Sequence, residues 1–222
     1  MQTRATYQKS LTDLQGEVVT LGGMVATAID RSIEALKNRD LALAREIIAD
    51  DKKINEKRFA IEQRATETIA TQQPMAGDLR AIISMLHIIT DLERMGDHAE
   101  GNARVVVLIG DEPPLKPLID VPLMAKKGIE MLNSSLLAFV NRDMDLALRV
   151  AAQDDEIDAL YDRVFNDLIG YMVADPSTIT RATRLIWVGH NLERIADRVT
   201  NICERVVYCV TGLMQEIGAS KY

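Results

Sequence analysis

Apolar residues recur along this chain at spacings of three and four. Val18, Leu21, Val25, Ile29 and Ile33 make one such stripe, and Leu43, Ile47, Ile54 and Ile61 a second. Ile82, Met85, Leu86, Ile89, Leu92 and Met95 make a third. This period puts the stripe on one face of a helix, whereas a strand would alternate. Asn38-Arg39-Asp40, Gln73-Pro74 and the three-proline segment Gly110 to Pro117 interrupt it. Proline ends helices and Asp40 can cap one, so the pattern predicts helices over about 5–37, 40–73 and 76–109. Beyond the prolines it predicts three more, over about 121–139, 144–173 and 177–217. Asp120 is expected to cap the first of these, with Pro122 in its first turn, and Asp175-Pro176 marks the last turn.

The second half restates the first. Leu92-Glu93-Arg94-Met95-Gly96-Asp97 returns as Leu192-Glu193-Arg194-Ile195-Ala196-Asp197, shifted by 100. Asn38-Arg39-Asp40, Asp51 and Ile54 return as Asn141-Arg142-Asp143, Asp154 and Ile157, shifted by 103. A repeat this long implies two copies of one supersecondary unit. Three long helices joined by short loops make an up-down-up bundle. The expected fold is therefore all-α, two tandem three-helix bundles spanning 1–110 and 118–222.

Composition agrees. Hydrophobic residues make up 47% of 222 residues, enough for a core, and aromatics only 4%. That aliphatic palette suits helices packed on helices. A net charge of −7 argues against nucleic acid as a partner. Cys203 and Cys209, six apart, lack metal or redox spacing and read as buried thiols of a reducing compartment. The start Met1-Gln2-Thr3-Arg4-Ala5-Thr6 lacks the apolar core of a signal peptide, and Val105 to Ile109 is far too short to span a bilayer. The expectation is a soluble cytoplasmic protein.

The echoed residues are mostly acidic, which turns attention from packing to chemistry. Glu93 and Asp97 are four apart and share a helix face, as do Glu193 and Asp197. The preceding helix of each half carries a matching pair, Asp51/Asn55 and Asp154/Asp158. In an antiparallel hairpin, residues equally far from the turn lie level. Asn55 and Glu93 are each 19 residues from Pro74, and Asp51 and Asp97 each 23. Asp158/Glu193 and Asp154/Asp197 are likewise centred on Asp175-Pro176. Each half thus places four oxygen-bearing side chains about 28 Å from its turn. Two like charges about 4 Å apart repel by about 4 kcal/mol at an effective dielectric near 20, and a bound cation relieves this. An all-oxygen set suits Mg²⁺, Mn²⁺ or iron ahead of Zn²⁺. The competing reading is that Arg94 and Arg194, with nearby lysines, neutralise the acids as surface salt bridges. His98 and His190 do not complete the Glu-x-x-His scheme of ferritin-like sites. His87 reads as a partly buried histidine, and no phosphate loop or catalytic triad is present.

With Asn201-Ile202-Cys203-Glu204 following the second motif and Asp78-Leu79-Arg80 preceding the first, the whole chain resembles the PhoU family. The resemblance implies two three-helix bundles with multinuclear metal clusters on Glu93/Asp97 and Glu193/Asp197, faced by Asp51/Asn55 and Asp154/Asp158, with Asn201 nearby. It implies a non-enzymatic regulator that dampens the phosphate-starvation response, bridging the phosphate ABC transporter, with its ATPase, and a membrane sensor histidine kinase. A homodimer is expected. The first half departs from the family pattern, since Gly101 stands where Asn201 does and Asn55 where Asp158 does. Its set is poorer in carboxylates, and tighter metal binding is expected in the second half. The runner-up reading is a carboxylate-bridged metal enzyme, an oxidase or phosphohydrolase; it needs an acid or base beyond the ligands, and the sequence offers no convincing one.

Overall fold

The computed structural model describes residues 4–217, with side chains from residue 7 onward. Residues 1–3, part of the segment read above as lacking a signal-peptide core, lie outside the described residues. Six long helical rods carry the fold, and among the described residues there is no strand. The first half is α1 (Arg4–Asn38), α2 (Leu41–Gln72) and α3 (Gly77–Ile109). The second is α4 (Asp120–Asn141), α5 (Met144–Ala151), α6 (Asp154–Ala174) and α7 (Ile179–Thr211), with a 3₁₀ turn at Pro176–Thr178.

The repeat is visible in the caps. Asp40 accepts a hydrogen bond from Leu43 N (2.9 Å), and its echo Asp143 accepts one from Leu146 N (2.8 Å). Each satisfies an amide that the first turn leaves open. Arg39 and Arg142, one residue earlier, both take the left-handed conformation, with φ of 57° and 53°.

Three expectations are corrected. The fifth rod breaks at Ala152-Gln153, where Gln153 N turns back to Val150 O (3.0 Å) in a tight i→i−3 contact. Asp154, Asp155 and Glu156 then open α6, where the positive end of the helix dipole favours acids. Asp120 caps nothing; it is the first residue of α4 and pairs with Arg163 (3.1 Å). The last helix stops at Thr211 because Gly212, at φ 77°, closes it with a bond from its N–H to Tyr208 O (2.8 Å).

Within each half the three rods pack on one another, and the halves join through α3 against α7 and α1 against α4. One apolar core runs through both. Val18, Leu21, Val25 and Ile29 are fully buried there, as are Ile82, Leu92 and Met95. Gly22 lets α1 approach α4, since a methyl group at that position would collide with Leu136. The α3–α7 seam carries buried polar groups. Asn201 Nδ2 donates to Asp91 Oδ1 (3.3 Å), and Asn191 Nδ2 donates to Asn102 Oδ1 (2.9 Å). The two pairings run in opposite directions along the helices, so α3 and α7 cross the seam antiparallel, with their two Leu-Glu-Arg motifs near mid-length.

Candidate functional site

In each half the paired helices bring the acidic residues within electrostatic reach of one another. In the first half, Asp51 on α2 faces α3 beside Gly96, with its Oδ1 3.7 Å from where a glycine-replacing Cβ would stand. Asn55 Nδ2 donates to the other oxygen, Asp51 Oδ2, at 2.9 Å. Burial, then the charges of Asp97, Glu100 and Glu93, push the Asp51 carboxyl above its ordinary range. Burial and Asp97 do the same to Glu93, and burial and Glu100 to Asp97. Four carboxylates therefore feel one another.

Glu100 is the member that the sequence reading missed. It lies three residues past Asp97 and seven past Glu93, so the face shared by those two continues to it. It raises the first set to four carboxylates, and the charge count no longer favours the second half. Arg104 holds it, Nε to Oε1 at 2.7 Å. Beside this set a cleft of about 410 Å³ opens between α1, α2 and α3, bordered by Gly23, Thr27, Arg31, Asp51 and Glu100.

In the second half Asp154 and Asp158 on α6 face Glu193 and Asp197 on α7. Burial, followed by Asp158, Asp197 and Glu193, pushes Asp154 up to about 7. Burial and Asp197 push Glu193 up to about 7, against the pull of Arg194. Arg194 Nη1 donates to Asp197 Oδ2 (2.8 Å), and its Nε stands 3.1 Å from Glu193 Oε2. The expected salt-bridge partner is thus present in this half. Asn201, expected near this set, instead gives its amide to Asp91 across the seam. His98, also at the seam, has its Nδ1 3.3 Å from Asn191 Oδ1, and burial lowers its pKa. His87 is exposed rather than partly buried.

The donors fit a hard cation in their chemistry. Asp51 Oδ1 and Asp154 Oδ1 are buried and accept no hydrogen bond, and Glu193 Oε2, likewise buried without one, has Arg194 and His190 beside it. A buried carboxylate oxygen without a partner is unfavourable, and an oxygen-seeking cation is a natural remedy. Among the described residues, no three His, Cys, Asp or Glu side chains stand in a formed metal cage. A cation would have to draw these carboxylates together.

Comparison with known proteins settles the family. The PhoU domain model matches twice, over residues 18–106 and 121–206, the two halves of the repeat. The chain belongs to the PhoU family. A Clostridium acetobutylicum protein named as a phosphate-specific transport system accessory protein PhoU homolog is 37% identical, covering 97% of this chain and 99% of its own. An Aquifex aeolicus protein of the same description is 39% identical over 92% of each chain. The crystal structure of the phosphate transport system regulatory protein PhoU from Streptococcus pneumoniae superposes with a TM-score of 0.88 at 32% identity, covering 94% of this chain and 99% of that one. The PhoU repeat thus coincides with the motif duplication, and both acidic sets lie inside the matched segments. No helix among the described residues is long and apolar enough to cross a membrane.

Proposed function

We propose that this chain is a non-enzymatic, metal-binding regulator of phosphate uptake and of the phosphate-starvation response. In this reading it is a cytoplasmic adaptor, working as a homodimer between the phosphate ABC transporter and its sensor kinase. One observation carries it: PhoU relatives named for the phosphate-specific transport system match this chain almost from end to end. The broad outer faces of long helices supply docking area of the kind helical adaptors use.

Asp51, Asn55, Glu93 and Asp97, joined by Glu100, would hold one metal group, and Asp154, Asp158, Glu193 and Asp197 the other. Asn201 would enter only by leaving Asp91. The ion, iron, Mg²⁺, Mn²⁺ or Zn²⁺, would neutralise carboxylates that otherwise repel and fix α2 to α3 and α6 to α7. The protein's own part is to supply mutually repelling carboxylates on paired helices, with Asp51 Oδ1, Asp154 Oδ1 and Glu193 Oε2 buried.

Two measurements test this. Elemental analysis of the purified protein should find metal that Asp97→Asn and Asp197→Asn each reduce. Deleting the gene in its host should raise alkaline phosphatase at high phosphate, and the wild-type gene should restore repression. An unchanged starvation response, with substrate turnover by the pure protein, would replace the adaptor with a carboxylate-bridged metal enzyme.

A further inference from the structure

Glu193 sits at the closed side of the second acidic set, only 6% exposed, and its Oε2 accepts no hydrogen bond. Two groups approach that oxygen: Arg194 Nε at 3.1 Å and His190 Nδ1 at 3.6 Å. The same guanidinium donates through Nη1 to Asp197 Oδ2 at 2.8 Å. One side chain therefore spans two of the four carboxylates in the set.

The first half has the same Glu-Arg pair and uses it differently. Arg94 is exposed and forms no ion pair among the described residues. Arg58 on α2, ion-paired with Glu62, and Arg94 itself both lower the Glu93 pKa without forming an ion pair with it. The residue 103 positions on is Tyr161, whose ring stacks at a tilt on His190 (6.1 Å) and packs against Gly189. Tyr161 brings α6 no charge at that level, and the guanidinium of Arg194 folds onto Glu193 and Asp197.

We propose that Arg194 is a tethered counter-ion that competes with a metal cation for Glu193 and Asp197. The second set then exchanges an internal cation for an external one. The proposal rests on the reading of the acidic sets as metal sites. The physical argument is exclusion: a guanidinium and a metal ion cannot use the same carboxylate lone pairs at once. Metal binding frees the guanidinium, whose side chain is already 41% exposed. The outer face of α7 thereby gains an unpaired positive charge only when the set is loaded, a change that a partner can read.

The test is titration of chelator-treated full-length protein with Mn²⁺ by calorimetry, in an Asp97→Asn background that weakens the first set. Adding Arg194→Gln should tighten binding by at least about tenfold, the factor that about 1.4 kcal/mol supplies. Arg194→Lys keeps the charge but loses the planar fork, and should give a smaller gain. It also guards against misfolding of the glutamine variant, with thermal melts and circular dichroism reporting the fold. In the absence of metal, Arg194→Gln should lower the melting temperature, because Glu193 then stays buried without its cation. Equal or weaker Mn²⁺ binding by both variants overturns the proposal while leaving the metal sites intact. Absence of Mn²⁺ binding in wild type and all variants overturns the metal reading itself, and this proposal with it.

Discussion

Asn201 on α7 donates a hydrogen bond to Asp91 on α3 across the junction of the two halves, at 3.3 Å. Asp91 is buried, and Arg198 Nη1 also approaches its Oδ1, at 3.5 Å. Burial raises the Asp91 pKa, while Asn201 and Arg198 pull it down. Removing one partner of a buried carboxylate typically costs about 1–3 kcal/mol. Asn201→Ala should therefore lose about 1–2 kcal/mol in urea unfolding. A double-mutant cycle with Asp91→Ala should show coupling; strictly additive losses would mean the pair does not interact.

The second set fixes the sign of a pH dependence. Asp154 and Glu193 titrate near 7 in the fold, above their ordinary 3.8 and 4.5. A carboxylate whose pKa rises on folding binds more protons folded than unfolded. Its stabilising contribution is complete below about pH 4 and is lost as pH climbs through about 7. Chelator-treated wild type should lose stability between pH 4.5 and 7.5 relative to Asp154→Asn/Glu193→Gln. Saturating Mn²⁺ should abolish that loss, because metal favours the deprotonated form. Parallel stability curves for the two proteins, without metal, would dispose of the argument.

Gly22 sets the distance between α1 and α4. Its missing side chain leaves room for Leu136, which is itself buried. Gly22→Val should destabilise the protein by about 1–3 kcal/mol through overpacking. Trimming the partner in Gly22→Val/Leu136→Ala should recover part of this in thermal melts. No recovery would place the strain somewhere other than this contact.

Both thiols should be inert in the native state. Cys203 is fully buried and burial pushes its thiol up to about 12; Cys209 is buried and raised in the same direction. The reactive form is the thiolate, so a colorimetric thiol reagent at pH 8 should count no fast-reacting cysteine in the folded protein. It should count two in denaturant. A fast native reaction would show that α7 opens locally.

Much of this molecule was legible in its sequence because helices are written locally. The stripe from Val18 to Ile33 needs only the 3.6-residue period to face one way, and those residues are buried. Asp40 and Asp143 announce their caps by residue type and position. The repeat of Leu-Glu-Arg after 100 residues foretold two equivalent bundles, and equal distances from each turn brought Asp51 level with Asp97. The small additions were less visible. Glu100 was within reach of the same spacing argument, but it has no echo, since Thr200 stands at that place in the second half.

Tertiary structure alone decided the rest, because each remaining feature depends on how helices distant in sequence rotate and meet. Asn201 belongs to Asp91 only because α3 and α7 pack antiparallel across the halves. His87 is exposed because its position on α3 points away from the core that Met85 and Ile88 enter. Arg194 and Arg94 share a motif, yet the first ion-pairs with Glu193 and Asp197 while the second acts on Glu93 and Asp97 only at longer range. A pattern along one helix does not contain what stands on the neighbouring helix, Arg58 on α2 in one half and Tyr161 on α6 in the other. Local periodicity determined which residues form helices and which faces are apolar; the rotation of those helices against one another determined which charges meet.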